Sequence, residues 1–144
     1  MTAARELLGD VTTLVRATAR EHTIDVRLVV EPPDLELVAD RDLLEQALVN
    51  VVLNAAQALD GVADGRVVVA AQTGPGGRPV IEVTDNGPGI PAAARDRIFI
   101  PFFTTKPDGS GIGLSLARQI MRLHGGTLTL YSVPNQGTTF AFRF

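Results

Sequence analysis

No cysteine occurs among the 144 residues, and histidine appears only twice. The missing cysteines exclude disulfides, thiolate nucleophiles and cysteine-ligated zinc, and they leave the redox compartment open. No apolar run approaches the roughly 18 residues needed to span a bilayer, and the first ten residues lack the basic-then-apolar layout of a signal peptide. Neither sign of charge dominates: 13 Lys plus Arg against 16 Asp plus Glu leaves a net charge of -3, which gives no general attraction to nucleic acid or to an anionic membrane. The expectation is a cytoplasmic domain with no nucleic-acid partner and no direct membrane contact, any membrane anchor of a parent protein lying outside this sequence.

What is present suits one folding unit over residues 1–144. The chain is 45% hydrophobic, and its 14 glycines and 9 prolines gather in particular stretches. Leu7, Leu8, Val11, Leu14 and Val15 recur at helical spacing within residues 3–20. Two extended runs, 24–31 and 35–39, flank the turn Pro32-Pro33-Asp34, and Asp40 caps a second helix, 41–59, ended by Asp60-Gly61. Strands 66–73 and 79–84, joined by Gly74-Pro75-Gly76-Gly77, read as a hairpin. Residues 91–111 read as a loop-rich lid with a short helical piece at 92–99. A helix over 112–124 closes at Gly125-Gly126, and strands 127–132 and 138–144 flank a last turn. This order implies an α+β fold, a two-layer sandwich with helices on one face of a mixed sheet.

The second helix carries a polar stripe, because Gln46, Asn50 and Asn54 recur every four positions opposite Leu44, Leu48, Val51, Val52 and Ala55. Asparagine lowers helix stability by several tenths of a kcal/mol per residue. The stripe admits two readings: a solvated helix face, or amide oxygens placed as hard ligands for Mg²⁺ on a bound phosphate.

Glycines cluster at three places. Asp85-Asn86-Gly87-Pro88-Gly89 follows a strand, so it is either a simple turn or a carboxylate beside closely approachable backbone. A buried Asp there would accept from the exocyclic amine of adenine and repel the carbonyl of guanine. Gly109-Ser110-Gly111-Ile112-Gly113-Leu114 opens a helix, where free N–H groups and the dipole suit an anion such as phosphate. Its spacing does not fit the dinucleotide fingerprint, and no GxxxxGK[ST] loop occurs. Gly137-Thr138 fits the turn of a final hairpin.

In this order the pieces resemble the catalytic domain of sensor histidine kinases, within the superfamily that includes DNA gyrase B, the Hsp90 chaperones and MutL. Asn50-Val51-Val52-Leu53-Asn54-Ala55 looks like the N box and Asp85-Asn86-Gly87-Pro88-Gly89 like the G1 box. Phe99-Ile100-Pro101-Phe102-Phe103-Thr104-Thr105-Lys106 looks like the F box, residues 109–113 like G2, and Gly137-Thr138 like G3. The wording of the F box and of His124-Gly125-Gly126 resembles the nitrogen-sensor-like class. The resemblance implies the Bergerat ATP-binding fold, a mainly antiparallel mixed sheet under about three helices, with ATP and Mg²⁺ as cofactors. It implies that Asp85 contacts the adenine amine, Asn54 ligates Mg²⁺, Asn50 lies near the phosphates and Thr138 supports adenine through water. Gly87, Gly89, Gly109, Gly111, Gly113 and Leu114 would shape the pocket and lid, with Lys106 either a phosphate contact or a surface lysine.

Relatives that hydrolyse ATP, like the serine kinases that act as anti-sigma factors, resemble one another in carrying Glu four residues before the metal-binding Asn. Here that position is Asn50, which has no useful basicity. The expected activity is therefore transfer of the γ-phosphoryl group to a histidine, ahead of an anti-sigma-type serine kinase or a non-catalytic ATP-gated interaction module. Neither histidine has the His-Glu or His-Asp context of a phosphoacceptor: His22 reads as a surface helix end and His124 as structural. The acceptor is thus expected on the dimerisation domain of a parent kinase, outside this sequence, with a response regulator as indirect partner and no catalytic residue within the chain. Ile100 departs from the family, where an acidic residue is common.

Overall fold

Asp40 starts the central helix in the computed structural model, which describes residues 1–18, 24–95, 97–100 and 113–144. Its extended backbone turns in, its carboxylate accepts from the Leu43 N–H at 3.1 Å, and the helix runs from Arg41–Ala58. This is α2. Before it come β1 (Thr2–Ala3), α1 (Ala4–Thr18), β2 (Asp25–Glu31) and β3 (Glu36–Leu37). After it come β4 (Arg66–Thr73), β5 (Pro79–Asp85), α3 (Ala92–Arg95), α4 (Gly113–Leu123), β6 (Thr127–Val133) and β7 (Gly137–Arg143).

The main sheet has the order β2-β4-β5-β7-β6, with β2 and β4 parallel and the other neighbours antiparallel. β1 pairs separately with β3. α1, α2 and α4 pack together on one face of the sheet, so the expected two-layer α+β architecture is the one observed.

Register explains where the site must lie. Alternate side chains of a strand share a face, and the helix-facing residues fall into rows across the sheet. One row runs Val30, Ala71, Ile81, Phe142, Leu128, and the next runs Leu28, Val69, Val83, Phe140, Leu130. Phe140 and Phe142 are buried to within 1%. Burying each such side chain contributes about 1.5–3 kcal/mol, so these rows supply the stability that the next row forgoes. That third row runs Val26, Val67, Asp85, Thr138, Ser132, and it turns polar halfway across.

α4 ends in a Schellman arrangement: the Gly126 N–H donates to the Met121 carbonyl at 2.9 Å and the Gly125 N–H to that of Arg122 at 3.0 Å. Gly125 has φ of +72°, and a side chain at Gly126 would overlap the Arg143 carbonyl oxygen. His124 sits at this end. Its Nε2 accepts from the Asp40 N–H at 2.9 Å and its Nδ1 lies 2.8 Å from the Ile120 carbonyl. Both contacts are satisfied only by the neutral ring with its proton on Nδ1, so His124 ties the end of α4 to the start of α2. His124→Ala should lower stability by about 1–2 kcal/mol in urea denaturation. It should leave nucleotide affinity unchanged, since α4 separates it by roughly 16 Å from the far end of that helix; an equal loss of affinity would contradict this assignment.

Several boundaries differ from the sequence expectation. Leu14 is 47% exposed while Leu7, Leu8, Val11 and Val15 are fully buried, because α2 and the sheet cover a stripe narrower than the periodicity suggests. The expected strand at 35–39 is a two-residue pair, and among the described residues the helical piece expected at 92–99 is Ala92–Arg95. The hairpin turn contains a short 3-10 segment, Pro75–Gly77.

Candidate functional site

Asp85 closes β5 in the buried polar row, with 4% of its surface exposed. Its Oδ1 accepts from the Gly87 N–H at 2.9 Å, in a turn where a side chain would crowd its neighbours. A Cβ on Gly87 would lie 2.9 Å from that oxygen and 3.2 Å from the Ala58 carbonyl at the end of α2. A carboxylate has about four lone-pair directions, so the Gly87 bond leaves it able to accept again. Thr138 is its register partner on β7, and it is 5% exposed. The bond from the Gly87 N–H to Asp85 is an Asx turn, so the G1 segment is a turn that also holds a buried carboxylate beside close backbone.

The other end of the site is set by α2 and α4. Gln46 is exposed and Asn50 and Asn54 are half-buried, so the stripe is not simply a solvated face. A side chain at Gly113, the first residue of α4, would lie 3.6 Å from Asn50 Cβ and Cγ. The N–H groups that open α4, and the positive end of its dipole, are therefore beside Asn50. From Asn50 to Ala58 the axis of α2 runs about 12 Å at 1.5 Å per residue. This is of the order of a nucleoside triphosphate's length, with the acceptor row at one end and the helix N-terminus at the other.

Phe99 bridges the two layers: its ring meets Phe140 edge-on at 6.2 Å between centroids, and the Arg118 guanidinium of α4 lies 4.3 Å over its face. Ile100 is about half exposed. Gly89, with φ of +79°, lies where a Cβ would be 2.6 Å from the Val133 carbonyl, and the Asn135 N–H donates to the Pro88 carbonyl at 2.7 Å. Gly89 thus packs the G1 turn onto the β6–β7 turn. Leu114 is half-buried in the first turn of α4. Lys106, Gly109, Gly111 and His22 lie outside the described residues.

Two residues were not legible as site components. The Asn86 side chain accepts from the Arg66 N–H at 2.7 Å and donates to the Asp64 carbonyl at 2.9 Å, clamping the start of β4 to the end of β5. Ser132 sits in the polar row beside Thr138 and contacts three separate groups. A lone serine in an alternating strand carries no signal until register places it.

Mg²⁺ is implied by the family resemblance, and the residues fit it in one specific sense. Among the described residues no cluster of three or more His, Asp or Glu could hold an ion unaided. The amide oxygens of Asn50 and Asn54 suit a hard ion that arrives already bound to phosphate oxygens and water.

A two-layer sandwich with a buried acceptor row at one end and a helix N-terminus beside a carboxamide stripe at the other defines a nucleoside-triphosphate-binding domain. The family described as histidine kinase-, DNA gyrase B-, and HSP90-like ATPase matches residues 39–144, and this chain belongs to it, as the ATP-binding catalytic domain type found in two-component sensor histidine kinases. The C4-dicarboxylate transport sensor protein DctB of Rhizobium meliloti is 38% identical over 140 residues, covering 97% of this chain and 22% of that protein. The sensor histidine kinase ZraS of Escherichia coli is 41% identical over 129 residues, covering 88% of this chain and 27% of that one. The chain thus spans about a quarter of the length of these relatives. Among solved structures, the nucleotide-free catalytic domain of histidine kinase ThkA superposes with a TM-score of 0.85 at 31% identity, covering 99% of this chain and 94% of that one. Full-length ShkA in complex with AMPPNP gives 0.85 at 33% identity, covering 96% and 29% respectively.

Proposed function

We propose that this domain binds ATP with Mg²⁺ and presents the γ-phosphoryl group to a histidine on a separate helical domain. The observation that carries the reading is the pairing of Asp85, buried beside Thr138, with a stripe whose leading residue at the α4 N-terminus is Asn50, not a carboxylate. Asp85 accepts from the adenine amine and so selects the base. The opening turn of α4 directs N–H groups at the phosphates, and Asn54, one turn beyond Asn50, supplies a neutral oxygen for the metal. When bound, Mg²⁺ would supply positive charge to offset that of the phosphate oxygens. Asn50 cannot take a proton from water, so hydrolysis is not assisted and the phosphoryl group is kept for an incoming imidazole. A response regulator would receive it next; the relative ThkA has been solved in complex with the response regulator protein TrrA.

Calorimetric titration with a non-hydrolysable ATP analogue tests the pocket. Micromolar binding in Mg²⁺ should weaken at least tenfold when the metal is chelated. Asn54→Asp should alter that metal dependence while the chain stays folded. A folded wild type that fails to bind millimolar nucleotide would remove the reading.

A further inference from the structure

Ser132 is 5% exposed and stands at the outer end of the polar row, on the edge strand β6. Its hydroxyl is 2.8 Å from the Ile90 nitrogen, 3.1 Å from the Gly137 carbonyl oxygen and 3.0 Å from the Thr138 hydroxyl. The bookkeeping of one proton and two lone pairs then decides the polarity. Ile90 can only donate and the Gly137 carbonyl can only accept. Ser132 must therefore accept from Ile90 and donate its single proton to Gly137. The third contact is a hydrogen bond only if Thr138 donates its own proton to Ser132.

That assignment fixes what Thr138 can offer on its other side. With its proton committed to Ser132, Thr138 Oγ presents lone pairs alone, beside the carboxylate of its register partner Asp85 on the same face of the sheet. We propose that Ser132 is a specificity-positioning residue that holds Thr138 as an acceptor, so that, among the described residues, this end of the pocket offers the Thr138 lone pairs beside the Asp85 carboxylate and favours a purine edge bearing an amine. Ser132 touches no nucleotide atom in this arrangement and acts through Thr138. The inference rests on the ATP-site reading above and adds to it the origin of base selectivity beyond Asp85.

The test compares dissociation constants for MgATP and MgITP, which carry an amine or a carbonyl at the 6-position and differ also at the neighbouring N1, a bare lone pair in the first and an N–H in the second. In wild type the ratio should strongly favour ATP. Ser132→Ala frees the Thr138 hydroxyl to turn its proton toward the base, so the ratio should fall about tenfold, equivalent to about 1.4 kcal/mol, with ITP affinity rising relative to ATP. In a Thr138→Val background, where no hydroxyl remains to be turned, Ser132→Ala should leave the ratio unchanged. If Ser132→Ala does not fold, Ser132→Cys, whose thiol is a weak donor and acceptor, takes its place with the same readouts. Equal loss of affinity for both nucleotides, or the same drop in ratio with and without the Thr138 hydroxyl, would overturn the proposal while leaving the ATP site standing. A wild type that binds neither nucleotide would overturn both.

Discussion

Asp85→Asn should weaken ATP binding by about 100-fold or more while leaving the domain folded. The substitution is nearly isosteric, and the new amide oxygen can still accept from the Gly87 N–H at the place where Oδ1 now does so, at 2.9 Å. What changes is the other half of the group, which becomes a pair of donors where the proposed site calls for an acceptor toward the adenine amine. A hydrogen bond to a charged acceptor contributes about 1.5–3 kcal/mol, and leaving a buried donor unsatisfied costs about 1–3 kcal/mol more. Even the lower part of that sum approaches two powers of ten in affinity. Titration of the variant alongside its thermal melt separates the effects: unchanged melting with lost binding supports the assignment, whereas retained affinity would remove Asp85 from the site.

Gly137→Ala should be the most damaging added methyl among the described glycines. Gly137 has φ of +114°, a backbone region that residues with side chains rarely adopt, and its added Cβ would overlap the Asp85 carbonyl oxygen on the paired strand. Relief requires β7 to move away from β5 at the row that carries Asp85 and Thr138. Loss of about 3 kcal/mol or more and a fall in melting temperature of roughly 10 °C are expected, together with loss of ATP binding. Gly76→Ala is the control: its φ of +72° carries the same kind of strain, yet a Cβ there meets nothing within 4 Å. It should cost only about 1 kcal/mol and spare the site. Similar losses for both would mean that backbone conformation, not the approach of β7 to Asp85, dominates at Gly137.

The contrast between these glycines shows which features could be read from residues alone. Spacing located α2 and its stripe, because a period of four with Asp40 as cap is a local signal, and it placed Asp85 at a strand end. It did not reveal that β2 and β4 run parallel, since their pairing skips α2 and depends on how the helices cover the sheet. Nor did it reveal Ser132 as a neighbour of Thr138, because that pairing is a matter of register across β6 and β7. Leu14 failed in the opposite direction: its helical phase suits the core, but the partner surface ends short of it. The anchoring of Phe99 between Phe140 and Arg118 joins three elements distant in sequence, and only the fold brings them together.

Phosphoryl transfer itself tests the central claim most directly. In a chimera, this chain can be exchanged for the aligned region of the sensor histidine kinase ZraS from Escherichia coli, which is 41% identical over 129 residues, so that the rest of that kinase is the candidate phosphoacceptor. The chimera is then given ATP labelled on the γ-phosphate, with an Asp85→Asn version as control. The expected result is an acid-labile, base-stable phosphohistidine on the ZraS part of the chimera, absent from the control, with little free phosphate released. A chimera that binds nucleotide yet yields only free phosphate, or an acid-stable phosphoserine, would contradict the assignment of this domain to histidine phosphorylation.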